Sequence, residues 1–317
     1  MSTRLHVVFG TGPVGQAVIR ELRARNHRVR AVSRSGRTEL GSDVEVLAGD
    51  AGDPAFARRA CVDACVVYSA LNPPYHQWPQ LFPRLQSGVL NGAASVGARL
   101  VAIENLYGYG PTGGRPLTED LPLAATTRKG ATRAAMTAQL LDADRRGIVQ
   151  VAIGRASDFF GPGVFTSNMG ASVFESVLAG KAVRVMGNPD LPHTYSYIDD
   201  IGRGLATLGD DSRACGQVWH LPNPDTLTTR QFIERIACHA GKSARVERTP
   251  RLVLRAVGLF NPTVRELVEM QYEFEEPFVV DDSKYVRTFG PGATPIDEAL
   301  QHTLRWYSER RAARGSR

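Results

Sequence analysis

Cysteine is scarce in this chain of 317 residues: Cys61, Cys65, Cys215 and Cys238 are the whole complement. Four thiols so scattered exclude a disulfide framework. No histidine lies near Cys61 and Cys65 to complete a zinc site, so buried free thiols are expected. Long apolar runs are absent too, which excludes a membrane-spanning helix of the usual kind. The residues before Gly10 hold no signal-peptide core, and a cytoplasmic location is the expectation. There is no internal repeat and no low-complexity linker. The formal net charge is +6, and five arginines fall between Arg305 and Arg317. The last part of that tail has no interleaved aromatics for stacking, so it reads as a solvated end and not as a nucleic-acid arm. What remains is an ordinary globular composition, 43% hydrophobic and 22% charged, with length for one large α/β domain and a smaller one.

The most informative stretch is Leu5-His6-Val7-Val8-Phe9-Gly10-Thr11-Gly12-Pro13-Val14-Gly15. A short apolar run predicts a strand, the glycines break it, and a helix is expected from Pro13 to about Arg23. Val14, Ala17, Val18 and Leu22 recur at helical spacing and give that helix one face for a sheet. Proline is tolerated in the first helical turn, where its missing N–H would be unpaired anyway. The glycine spacing is that of a dinucleotide fingerprint. Gly10 permits the tight turn, Gly12 lets backbone approach a pyrophosphate, and Gly15 lets helix and strand pack closely. The helix N-terminus would face the phosphates.

Strands are predicted at 28–32, 44–47, 64–68, 99–104 and 150–154, and helices at 54–61, 79–97 and about 128–146. This alternation implies an α/β fold with a doubly wound parallel sheet. A dinucleotide-binding domain is expected over 1–163. A smaller substrate or lid domain, partly interleaved with the sheet, is expected over 164–317. After the second strand an acid usually holds the ribose hydroxyls of NAD. None stands here. Ser33, Arg34 and Arg37 take its place, and arginine's planar fork suits a 2′-phosphate, so NADP is the expected cofactor. Asn72-Pro73-Pro74-Tyr75-His76-Gln77-Trp78 breaks the pattern past strand four, where ligands sit in such sheets.

Taken together, these residues resemble the extended branch of the short-chain dehydrogenase/reductase superfamily, of epimerase/dehydratase type. Gly49-Asp50 is similar to the family's acidic position at the adenine. Tyr109-Gly110 resembles the Tyr-Gly after strand five. Arg155-Ala156-Ser157-Asp158-Phe159-Phe160-Gly161-Pro162-Gly163 resembles R-P-x-N-x-Y-G-P-G. Tyr197-Ile198-Asp199-Asp200-Ile201 is similar to the Val-Asp-Asp-Val helix start, and Asp282-Ser283-Lys284 to a late D-x-S-K. The glycine spacing is that of atypical members. The resemblance implies cofactor contacts at Gly10, Thr11, Gly12, Pro13, Val14, Gly15, Ser33, Arg34, Arg37, Asp50, Ala70 and Lys129.

The departures concern chemistry. The family uses a Ser or Thr after strand five and a YxxxK whose Lys lowers the Tyr pKa and holds the ribose. Counting back from Tyr109-Gly110 puts Asn105 at the Ser position, and aligning Lys129-Gly130-Ala131-Thr132-Arg133 with the family's Y-G-x-S-K puts Lys129 at the Tyr position and Arg133 at the Lys position. Lys129 as proton donor, its pKa lowered by Arg133, is one reading. Tyr107 taking that role is a second, and a chemically silent cofactor site is a third. Asn105 could polarise a carbonyl. His193 stands where sugar-nucleotide members carry a diphosphate-gripping Arg, and Asp158 replaces an Asn. A doubly anionic substrate would thus meet repulsion and no clamp. The candidate substrate contacts are Asn72, Trp78, Asp158, Phe159, His193 and Tyr195. The segment 252–278, rich in Leu, Val and Phe, is expected to pack as core or lid. The function expected is an NADP-dependent oxidoreductase of a small, partly apolar, non-nucleotide substrate, with no metal. An epimerase or dehydratase, or a redox sensor that binds NADP without turnover, are the alternatives. A small molecule is the expected partner, with no nucleic acid and no membrane, and a homodimer is compatible with the chain.

Overall fold

Leu5–Phe9 forms β1, buried at every position. A strand covered on both faces has no polar side to show, which is why its sequence is a continuous run and not an alternation. The computed structural model describes residues 4–36, 41–250, 260, 266 and 268–315. β1 pairs in parallel with β2 (Arg28–Ser33) on one side and β4 (Ala64–Ser69) on the other. β2 carries β3 (Glu45–Ala48), and β4 carries β5 (Arg99–Glu104) and then β6 (Val151–Arg155). Strand Gln217–His220 adds beside β6, completing a seven-stranded sheet of parallel pairs. The strand order reverses between β1 and β4. The crevice at their carboxyl ends is therefore the place for a ligand.

Val8 faces one core and Val7 and Phe9 the other, as the two-residue period of a strand requires. α1 (Pro13–Ala24) and helix Ile198–Asp210 cover the first face. α2 (Pro54–Cys61), α3 (Trp78–Ser95) and α4 (Arg128–Arg145) cover the second. Local chemistry starts each helix where the sequence indicates. Pro13 opens α1, the Asp53 carboxylate accepts from Ala55 N ahead of α2, and Thr127 Oγ1 accepts from Gly130 N ahead of α4.

The second half of the chain is divided between the sheet and the cleft. Helix Ile198–Asp210 lies against α1 so closely that a Cβ on Gly202 would stand 2.7 Å from the Ala17 carbonyl carbon. Arg20–Asp199 and Arg25–Asp210 ion pairs flank that contact. On the same helix, Asp200 is fully buried and accepts from Thr294 N at 2.8 Å and Thr294 Oγ1 at 2.7 Å. Strand Asp158–Phe160 pairs with Tyr195–Tyr197 away from the main sheet.

Of the four thiols only Cys61 is fully buried. Cys65 and Cys215 are half-buried and Cys238 is exposed, so the expectation of buried thiols is corrected for three positions. Much of the apolar segment 252–278, and Arg37, lie outside the described residues. No helix among the described residues is long and apolar enough to cross a membrane.

The close crossing at Gly202 leads to a stability test. Gly202→Ala drives a methyl into the Ala17 backbone and is expected to cost about 1–3 kcal/mol. Urea denaturation measures it, and an unchanged midpoint would show that the two helices separate without loss.

Candidate functional site

The loops after β1, β2, β3 and β4 meet at the carboxyl edge of the sheet. Gly10 has φ +103°, and a Cβ there would strike the Ala70 carbonyl, so the first and fourth loops touch backbone to backbone. Ala70 N donates to Phe9 O at 2.8 Å and locks that contact. A Cβ on Gly15 would collide with Gly10 O, which presses α1 onto the turn. Gly12 is different: a Cβ there would meet nothing within 4 Å, and no side chain caps the helix that starts beside it. Open space at a helix N-terminus with uncapped N–H groups fits a pyrophosphate. Thr11, Pro13 and Val14 line the same turn.

At the end of β2, Ser33 Oγ accepts from Gly36 N at 3.1 Å and shapes the turn that presents the exposed Arg34. Asp50, after β3, accepts from Gly52 N at 2.8 Å and pairs with Arg84 at 2.7 Å. The Gly52 N–H first, then Arg84 and Arg34, hold its carboxyl below the usual range. Arg34 thus lies near enough to Asp50 for its charge to act on that carboxyl.

The reactive end differs from the expectation. Asn105 follows β5, and its Oδ1 accepts from Tyr107 N at 3.4 Å. Lys129, at the start of α4, is 1% exposed, and its ammonium is ion-paired to Glu266 and, at 3.2 Å, to Glu269. It also lies 4.5 Å from the centre of the Tyr75 ring. The helix start is tied to the same acids again, through Arg128 to Glu266 and the Arg128 amide to Glu269. Burial works to raise the Glu266 carboxyl, but Lys129 and Arg128 outweigh it and hold it below the usual range. Arg133 is turned to aromatic faces, 4.7 Å from the Trp78 ring and 4.0 Å from Phe82. Burial pushes its guanidinium down to about 10, so it stays charged at neutral pH. It borders a cavity of about 10 Å³ beside Ser69 and Ile103, room for no more than a water.

The expected pairing of two adjacent cations is therefore corrected. Carboxylates from the C-terminal segment, and not Arg133, are the groups at Lys129. Tyr107 shares a 3.4 Å contact with the Tyr75 hydroxyl. Burial first, and Glu273 next, push its phenol well above the usual range, which makes it a poor donor. A buried network supports this edge from beneath. Arg155 pairs with Glu104 at 3.2 Å and lies over the Tyr109 ring, and the Tyr109 hydroxyl contacts His220 Nε2 at 2.8 Å.

On the substrate side, Asn72 is exposed, and Trp78 is buried with its indole donating to Pro73 O at 3.1 Å. Asp158 is half-buried and holds His193 Nε2 at 3.1 Å and Asn168 Nδ2 at 3.3 Å. His193 stacks on Tyr195, Phe274 and Phe278 with centroids 4.6–4.9 Å apart, so it anchors Asp158 and is not a free contact. Phe159 packs its half-buried ring on the main core. Tyr195 is 2% exposed, and its hydroxyl meets Thr229 Oγ1 at 2.7 Å. Its expected substrate contact is thus corrected to a supporting one, because its one polar group is already engaged.

The acids at 266, 269 and 273 lie within the segment whose Leu, Val and Phe content points to core or lid packing, and they are not among the candidate site residues read from the sequence. Their i, i+3, i+7 spacing puts one acidic face on that segment, and this spacing was the signal available. The turn Gln271–Phe274 carries Glu273, which is 2% exposed.

The model of the NAD dependent epimerase/dehydratase family matches residues 7–220. A 3-diazoavenalumate denitrifying reductase from a Streptomyces species is 27% identical over 257 residues, covering 74% of this chain and 80% of that protein. An epimerase from Methanothermobacter thermautotrophicus superposes with a TM-score of 0.80 at 17% identity, covering 98% of this chain and 94% of that one. A dTDP-glucose 4,6-dehydratase from Streptomyces venezuelae, solved with NAD bound, gives 0.76 at 18% identity and covers 98% of both chains. A nicotinamide dinucleotide is the cofactor these likenesses support, and the open turn at Gly12 fits it.

The ion-paired Lys129 has a measurable signature. Lys129→Met leaves Glu266 and Glu269 without the ammonium and is expected to cost about 3 kcal/mol at pH 7. The Glu266 carboxyl is held below its usual value, so its share of stability is present above that value and lost as pH falls. The difference between wild type and variant should therefore narrow as pH drops below about 4.5. Denaturation midpoints across pH 3–8 check this, and a constant difference would show that the pair is not what Lys129 stabilises.

Proposed function

The chain belongs to the NAD-dependent epimerase/dehydratase family, and from that premise we propose that it is an NADP-dependent reductase of a small, partly apolar, non-nucleotide substrate. What occupies the family's Tyr and Lys positions carries this reading. Lys129 is held by two carboxylates, and Arg133 is held between aromatic rings. An epimerase or dehydratase cycle starts by oxidising an alcohol, and that step needs a base for the hydroxyl proton. No such base stands at the Tyr position here. Reduction of an electron-poor carbon makes no such demand at that place. A similar protein named as a reductase supports the same direction.

The dinucleotide, when bound, supplies hydride, and the chain's residues do the rest. The Gly10–Gly15 turn and the α1 N-terminus receive the pyrophosphate, Arg34 the 2′-phosphate and Asp50 the adenosine end. In this reading the Asn105 amide polarises the acceptor atom. Tyr75, Tyr107 and Trp78, mutually packed, form an aromatic wall that excludes water. Asp158, anchored by His193, puts negative charge where a sugar diphosphate would need a cation.

Calorimetry with each dinucleotide tests the cofactor. NADPH is expected to bind at least tenfold more tightly than NADH, and Arg34→Ala to lose about 10–100-fold of NADPH affinity, the worth of one charge-assisted contact. Equal affinities in the wild type would remove the basis for NADP. A separate titration with UDP- and dTDP-sugars should give no heat beyond dilution, and micromolar binding of either would overturn the non-nucleotide substrate.

A further inference from the structure

Three consecutive side chains of one short turn each bury a polar atom that has no partner among the described residues: Gln271 Oε1, the Tyr272 hydroxyl and Glu273 Oε1. Native interiors rarely leave such groups unpaired, and three in a row on one turn call for something that meets them. The turn is not a loose end. Phe274 stacks on His193 with ring planes 5° apart, Asn188 N donates to the Phe274 carbonyl at 2.7 Å, and the neighbouring Glu269 takes part in the Lys129 ion pair. The three atoms are thus held in place with no partner among the described residues.

The surroundings say what they would meet. Glu273 lies close enough to Asp158, Tyr75, Tyr107 and Tyr272 for its charge to act on each. Burial, and then Asp158, push its carboxyl well above the usual range. An anion would add to the penalty that burial and Asp158 already impose on ionising Glu273, and a neutral ligand would leave that penalty in place. A cation relieves the repulsion between the acids and gains from the ring faces. The Tyr75 ring already carries the Lys129 ammonium on one face.

We propose that the Gln271–Glu273 turn and Asp158 form a cation-recognition site, and that the substrate of this chain is a nitrogen cation of the iminium type. This rests on the reductase reading above and names its substrate class. The chemistry balances without the missing proton relay. Hydride arrives at the carbon of C=N⁺, the π pair settles on nitrogen, and a neutral amine leaves as the dihydronicotinamide is oxidised. No proton is exchanged, so the replaced Tyr and Lys positions are no obstacle.

Three probes of one shape separate the occupants: benzamidinium (cation), benzamide (neutral) and benzoate (anion). Each is titrated calorimetrically into the full chain, with and without NADP⁺. Benzamidinium is expected to bind at least tenfold more tightly than the other two, and Glu273→Gln to bring that preference below threefold. Equal binding of benzamide, tighter binding of benzoate, or no heat from millimolar benzamidinium overturns the proposal. A second measurement needs no ligand. Relieving an unpaired buried acid is expected to raise the melting temperature of unliganded Glu273→Gln by about 1–3 °C at pH 8, whereas a residue with a purely structural role would lower it. If NADPH fails to bind, the reductase reading falls while the benzamidinium result stands on its own.

Discussion

The ammonium of Lys129 sets the geometry of the cleft. Buried at the start of α4, it draws Glu266 and Glu269 down from the C-terminal segment, and Arg128 binds the same acids from the exposed side. An unpaired charge at that depth would cost several kcal/mol, so the helix start and the segment are coupled: one cannot hold its place without the other. The turn that follows, Gln271–Phe274, inherits its position from this contact. Phe274 then stacks on His193, and His193 in turn holds Asp158. The ion pairs around Lys129 thus lead to the far wall of the site through successive contacts.

The opposite wall is built by the sheet. Parallel pairing brings the ends of seven strands to one edge, and the Glu104–Arg155 pair fastens the ends of β5 and β6 beneath it. The loops that leave this edge have different tasks. The first is glycine-rich and open at Gly12, the second presents a cation, and the fourth and fifth bring Tyr75, Trp78 and Tyr107 together. A rigid platform with variable loops permits the reacting groups to change while cofactor geometry is retained. On the proposed alignment that change is large: Lys129, held by two carboxylates, and Arg133, held among aromatic rings, take the places of the family's tyrosine and lysine.

Such a site carries a cost visible in its hydrogen bonding. Gln271, Tyr272 and Glu273 keep polar atoms buried without partners among the described residues, close to a second acid. Interiors shaped by stability alone do not retain this arrangement, and strain of this kind concentrates where a ligand is received.

Much of the frame could be read from local pattern. The strand–glycine–helix run at the start, α2 from residue 54 to 61 and β5 from 99 to 104 fall where periodicity and caps put them. Hydrophobic period and turn chemistry act over a few residues, so one stretch of sequence is enough to reveal them. The candidate positions Asn105, Lys129 and Arg133 come from local pattern as well, the first from its spacing to Tyr109-Gly110 and the other two from the resemblance of 129–133 to Y-G-x-S-K. Their partners were not. Lys129 meets carboxylates 137 and 140 residues away, and Tyr195 spends its hydroxyl on Thr229. Arg133 turns to Trp78 and Phe82 and not to Lys129, although the i, i+4 spacing allowed the pair. Charge at a position is a property of the sequence. What that charge faces is decided by which distant segments the sheet and its ion pairs bring together, because electrostatic and packing energies depend on distance in space and not along the chain.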